Sequence, residues 1–300
     1  MSALPPDPAD QIKLGTCAWN FEDWRDVFYP AGLASNQELA YYARYLPAVE
    51  VDSTFYHIPR ADVVAAWASR TPEDFVFTAK MPKLITHEAR LRNCRRELDA
   101  FLSSLRPMGE KLGAVLLQFS PAFRPAHDED ALTEFLDLLP VGKMSFAVEF
   151  RHPDWHAPRI AKLLTEHGVA WAWNDLTALD AQGEGAFGFL PLTAEFLYVR
   201  LMGDLETKFR PDGERQYRYG SLLWERENGM DHWADRLKKH LADTRRAYVM
   251  VNNHYEGFSP LTCQRLGRRL GIEIELPSLV QHAARPGEAP QKLDEQLDLL

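Results

Sequence analysis

Glu149 and Arg151 close the run Ser145-Phe146-Ala147-Val148-Glu149-Phe150-Arg151. In a strand, successive side chains point to opposite faces, so Ala147, Glu149 and Arg151 share one face while Phe146, Val148 and Phe150 share the other. A carboxylate and a guanidinium beside a small residue are unsuited to packing under a helix layer. They suit the mouth of a barrel, where a carboxylate activates water and a guanidinium holds an anion. Seven other short apolar runs end in polar or charged residues. These endings add Thr16, Glu50 and Asp52, Lys80, Gln118, Asp175, Arg200, and Asn252 with Asn253.

The elements that must position these groups alternate strand and helix. The strands are expected at Lys13–Ala18, Val49–Val51, Phe75–Ala79, Gly113–Phe119, Ser145–Phe150, Val169–Trp173, Phe196–Leu201 and Tyr248–Val251. Between them, apolar residues at helical spacing predict helices over Asn36–Tyr45, Asp62–Ser69, Arg92–Arg106, Asp128–Leu138, Arg159–His167 and Asp231–Thr244. Pro260–Leu270 follows the last strand, and Asn36 reads as an N-cap. Eight β/α units in alternation argue for a single α/β domain, a TIM-type (β/α)8 barrel with parallel strands. The sixth unit is irregular, because Thr177–Pro191 is Gly-rich and lacks helical period. The expected division is a flexible segment over 1–11, the barrel over 12–282, and a tail over 283–300. Leu293, Leu297 and Leu300 offer that tail a small amphipathic helix.

Composition narrows the function classes. The chain has 300 residues, 46% of them apolar, and a net charge of −9, which argues against broad non-specific nucleic-acid binding. A local basic stretch from Lys80 to Lys111 carries Arg90, Arg92, Arg95, Arg96 and Arg106, and reads as a solvated helix face. Three scattered cysteines imply neither a disulfide framework nor a zinc ribbon. The first ten residues lack the apolar core of a signal peptide, and no stretch approaches the ~20 apolar residues of a membrane span. The expectation is a cytoplasmic protein that does not engage membranes. Its oligomeric state is not legible.

Histidines and aromatics gather beyond the strand ends. His87 is the candidate that joins the ring of charges, whereas His152, Asp154 and His156 sit in a Pro-flanked turn without a second metal arm. Cys17 lacks an adjacent base and reads as a semi-buried thiol. Trp155 and Tyr56 are candidates for stacking on a substrate.

Seven ordered segments, GTCAWNFEDWRDVFYP, VEVDSTFYHIP, FTAKMPKLITH, LLQFSPAF, VEFRHPDW, YVRLMGD and NNHYEGF, resemble the domain-of-unknown-function 72 (YecE-like) family. They run from Gly15 to about Leu270, nearly the whole chain. The resemblance implies a TIM-type barrel. It also implies a polar cleft of Glu50, Thr54, Lys80, Thr86, His87, Gln118, Glu149, Arg151, Trp155, Asp175, Arg200 and Asn252 or Asn253, without implying a reaction. Cys17 and Ala18 stand where Ser and Gly are usual. Met202 stands where His often follows the Arg of the seventh strand, which weakens the case for a histidine-rich metal site.

The leading expectation is an enzyme that hydrolyses a phosphoester or phosphodiester. Lys80, Arg151 and Arg200 would hold phosphate oxygens, Glu149 or Asp175 would be the general base, and Gln118, Glu50, Asn252 and Asn253 would orient the substrate. A divalent metal is not favoured; if present, it would take Glu149, Asp175 and His87. The first alternative is Schiff-base or proton-transfer chemistry on a sugar or keto acid through Lys80. The second is a non-catalytic binder of a phosphorylated metabolite or single-stranded nucleic acid. The expected partner is therefore a small anionic substrate or a nucleic acid.

Overall fold

The computed structural model describes residues 8–176, 190–203 and 218–283. Eight strands run in chain order: β1 Ile12–Cys17, β2 Ala48–Val51, β3 Val76–Lys80, β4 Leu112–Gln118, β5 Phe146–Glu149, β6 Ala170–Asn174, β7 Phe196–Leu201 and β8 Arg246–Val251. Each pairs in parallel with its sequence neighbour, and β8 returns to pair with β1, closing the barrel. The helices are α1 Pro8–Gln11, α2 Glu38–Tyr42, α3 Ala61–Ser69, α4 Arg95–Leu105, α5 Pro125–Leu138, α6 Pro158–Glu166, α7 Glu227–Leu241, α8 Ser259–Leu270 and α9 Ser278–Ala283.

Alternation along each strand builds two cores. Outward residues such as Val49, Phe77, Leu117, Val148, Trp173, Val199 and Val249 are buried under the helices. Inward residues are mostly small: Ala48, Ala114, Ala147, Ala170 and Ala172 surround Tyr198 and Tyr248. Two tyrosines from adjacent strands fill much of the interior, beside Val76, Leu116 and Met250, where neighbouring positions shrink to alanine and glycine. Gly113 shows the constraint, since a Cβ there would lie 2.7 Å from Tyr248 Cε1 and 2.6 Å from Val76 Cγ1. The lower barrel interior is thus filled by buried side chains.

The elements depart from the sequence reading chiefly at their ends. The first helix is shorter than expected: a 3-10 turn over Ser35–Gln37 precedes α2, and Gln37, not Asn36, occupies its N-cap. Helix α5 begins three residues before Asp128, at Pro125, where proline's missing N–H costs nothing. Strand β6 reaches Asn174, one residue beyond expectation, with consequences for the site. Residues 8–11 of the N-terminal segment are helical, and the Gln11 amide donates to Leu241 O and Thr244 O. Most of the irregular sixth unit, and the tail leucines, lie outside the described residues. Among the described residues, no helix is long and apolar enough to cross a membrane.

Much of the basic stretch serves structure. Arg90 and Arg92 both bond the buried carboxylate of Asp128, Arg95 pairs with Asp99, and Lys111 donates to Ala68 O and Thr71 O.

Candidate active site at the barrel mouth

Above the alanine layer, the interior turns polar. Arg200 of β7 is fully buried, its Nε 3.0 Å from Glu50 Oε2 and its Nη2 2.6 Å from Glu50 Oε1. Its Nη1 donates to Glu149 Oε2 at 2.7 Å. Tyr198 Oη lies 2.7 Å from Glu50 Oε2 and 2.8 Å from Thr78 Oγ1. One guanidinium therefore ties β2 to β5 across the lumen, with a fork-shaped bidentate bond on one side. This arrangement removes Arg200 from the expected phosphate clamp, because three of its N–H groups are committed to two glutamates beneath the open mouth.

The two glutamates experience opposite environments. Burial pushes Glu50 above the ordinary carboxylate range, with Arg200 opposing and the Asp52 charge reinforcing it. Burial also acts on Glu149, but Arg151, Arg200 and Lys80 outweigh it and hold that carboxyl down to about 2. Glu149 accepts from Arg151 Nε on one oxygen and from Arg200 on the other. A carboxylate so weakly basic and so fully bonded is an anchor for two arginines, not the general base expected of it.

That depressed value makes a prediction for acid stability. A carboxylate with a lowered folded-state pKa stabilises the fold above its unfolded value of 4.5, and the contribution is lost as pH falls toward about 2. The gap corresponds to about 3 kcal/mol. Glu50, shifted upward, works with the opposite sign and only above pH 4.5. Urea unfolding between pH 4.5 and 2 is expected to show a steep loss that Glu149→Gln reduces; equal slopes in the two proteins would refute the assignment. Asp128, also held low, stays in both proteins and cancels in that difference.

The rim above this network carries the more accessible cations. Lys80, with its side chain 12% exposed, has Nζ 3.8 Å from Asp52 Oδ1 and 4.3 Å above the Phe55 ring centroid. Arg151 is 14% exposed and uses its Nε on Glu149; among the described residues, its Nη1 and Nη2 have no hydrogen-bond partner. His87 is half-buried on a π-helical turn, Leu84–Glu88, its ring edge-on to Phe55 at 5.0 Å. Burial, then Lys80 and Arg151, lower its pKa, so the imidazole is neutral at neutral pH. His87 Nδ1 lies 2.9 Å from Thr86 Oγ1, whose hydroxyl also reaches Pro82 O at 3.3 Å. With that hydroxyl donating to Pro82 O, Nδ1 carries the proton and Nε2 holds the free lone pair. Gln118 closes the rim beside Glu149, its amide donating to Phe119 O.

Other expected site residues belong elsewhere. Asp175 accepts from the N–H groups of Met202 and Gly203 at 2.6 and 2.7 Å, so it braces the end of β7. Because β6 extends one residue further, Asn174 takes the inward position in line with Ala170 and Ala172. Asn253 accepts from Ser259 N and Oγ at the start of α8. Asn252 is half-buried and accepts from His254 N. Trp155 is fully buried, stacked on Phe150 and Phe123 and donating to Phe123 O, which makes it core. Tyr56 is 70% exposed beside Phe55. Asp52 was collected with Glu50 at the end of the second run, whereas Tyr198 and Thr78 enter the network without having been collected. Their signal was parity with Arg200 and Lys80.

The donor set does not fit a divalent metal. Glu149 is bonded to two arginines and Asp175 to backbone, so neither offers a free oxygen to join His87. Among the described residues, Cys17, Glu50 and Asp52 alone bring three ligand atoms together. Arg200 already fills that space, bonding both Glu50 oxygens and lying 4.0 Å from Cys17 Sγ. Burial also pushes the Cys17 thiol up, so it is protonated and a poor ligand. The His152–His156 turn is likewise no metal arm: His152 accepts from Asp154 N, and His156 packs on Trp171.

Comparison with known proteins follows this geometry. The family model described as "Protein of unknown function DUF72" matches residues 13–288. UPF0759 protein YecE of Escherichia coli K12 is 36% identical over 146 residues, 49% of this chain and 50% of that protein. That alignment thus spans about half the length of the relative. UPF0759 protein YunF of Bacillus subtilis is 28% identical over 294 residues, covering 94% of this chain and 99% of that one. A DUF72 family protein of Thermotoga maritima superposes with a TM-score of 0.71 at 26% identity, covering 87% of this chain and 99% of that one.

Proposed function

The chain belongs to the DUF72 family, and from that premise we propose that its barrel mouth binds a small phosphate-bearing substrate and hydrolyses its phosphoester. The observation that carries the reading is Arg151, whose two Nη groups have no hydrogen-bond partner among the described residues while Glu149 fixes its Nε. Lys80 lies close enough for both cations to depress the His87 imidazole. Two held cations are a clamp for phosphate oxygens, and charge developing on those oxygens in the transition state is stabilised by the same pair. His87 Nε2 takes a proton from water as its oxygen bonds phosphorus. The P–O bond to the leaving group breaks, and the imidazolium returns the proton to the departing alkoxide.

The test is calorimetric binding of inorganic phosphate, followed by phosphate release from a panel of mono- and diesters. Arg151→Ala and Lys80→Ala are each expected to weaken phosphate binding about tenfold to hundredfold, the value of one charge-assisted contact. A native protein that neither binds phosphate nor releases it sinks the reading. The Schiff-base alternative would appear instead as a borohydride-trapped adduct on Lys80. None is expected, since that side chain is ion-paired with Asp52 and packed on Phe55. A binder of single strands would lose affinity steeply with salt and would show no turnover.

A further inference from the structure

Asp52 is the first residue beyond β2, and its Oδ1 is buried with no hydrogen-bond donor within reach among the described residues. Lys80 Nζ and Arg200 Nη2 both stand 3.8 Å from this oxygen. Hydrogen bonds to oxygen close at roughly 2.7–3.2 Å, so the three groups face one another across a gap. A buried acceptor left in that condition costs free energy, and such an atom in a polar cleft calls for an occupant.

The charges around the gap select the occupant. An ionised phosphate-ester or carboxylate oxygen has no proton to give Asp52 and is repelled by it. An ammonium would satisfy Asp52 but meets Lys80 and Arg200. A hydroxyl donates one hydrogen to Asp52 Oδ1 and offers two lone pairs to the two cations. Lys80 spans both sites: it borders this gap and, with Arg151, the phosphate clamp. The Phe55 ring lies beneath Lys80 and against His87, giving an apolar face along the path between them.

We propose that Asp52, Lys80 and Arg200 form a hydroxyl subsite, so that the substrate is a phosphorylated polyol or sugar. This inference rests on the phosphate clamp argued above. Its test compares two esters of one chain length, glycerol 3-phosphate and propyl phosphate, with inorganic phosphate alone, by calorimetry on the native protein. The hydroxylated ester is expected to bind about tenfold to hundredfold more tightly than the alkyl ester. In Asp52→Ala the preference is expected to fall below about threefold.

Phosphate binding without discrimination between the esters overturns the subsite and leaves the clamp standing. A native protein that binds none of the three overturns both. A preference that survives intact in Asp52→Ala assigns the hydroxyl to another residue and refutes the subsite. Should that variant fail to fold, the ester comparison on the native protein still decides.

Discussion

Arg200→Met is expected to destabilise the protein by about 3–5 kcal/mol, the range for removing one partner of a buried ion network. Arg200 neutralises two carboxylates that are themselves fully buried, Glu50 and Glu149. Without it, Glu50 keeps the Tyr198 hydroxyl and Glu149 keeps Arg151, but two negative charges remain in a closed lumen. Burial then raises both carboxyl pKa values, so the loss is greatest at neutral pH and shrinks as pH falls and the pair takes up protons. Adding Glu50→Gln to the variant should restore part of the loss by the same argument. Thermal or urea unfolding of the single and double variants checks this. A single variant within about 1 kcal/mol of native would mean that the guanidinium is no strut.

How far the sequence could carry this depended on locality. The eight-unit alternation needed only short-range patterns, and parity within one run placed Glu149 and Arg151 together on the inner face. The choice of Asp175 rested on its place at the end of the sixth apolar run, without parity, whereas β6 runs to Asn174, which shares the inner face with Ala170 and Ala172. Arg200 was legible as an inward cation but not as one tied to two buried glutamates. Its partners stand 150 and 51 residues away and meet it only when the barrel closes. Trp155 was misjudged for a related reason: a loop aromatic carries no periodicity to say whether it faces the cleft or the stack of Phe150 and Phe123. Local pattern reveals which face a side chain takes, while closure decides whether its charge is spent or free. Arg151, Lys80 and His87, which stand nearer the rim, are therefore where function is proposed.

His87→Ala should lower kcat/KM on the phosphoester identified by the panel about a hundredfold to ten-thousandfold, the usual yield of a positioned general base. KM should change little, because the phosphate rests on Arg151 and Lys80. The native pH profile is expected to fall on its acid side below the ordinary histidine value of 6.5, since burial, Lys80 and Arg151 lower the imidazole pKa against the opposing Glu88 charge. A base must be unprotonated, so activity is lost as pH drops through that lowered value, and His87→Ala should abolish the limb.

Arg151→Gln separates the two roles. Removing that cation should raise KM and shift the acid limb to higher pH, because one of the charges opposing protonation is gone. A His87→Ala protein with more than about a third of native activity would remove His87 from the chemistry. A limb that stays put in Arg151→Gln would show that the two side chains do not share the site.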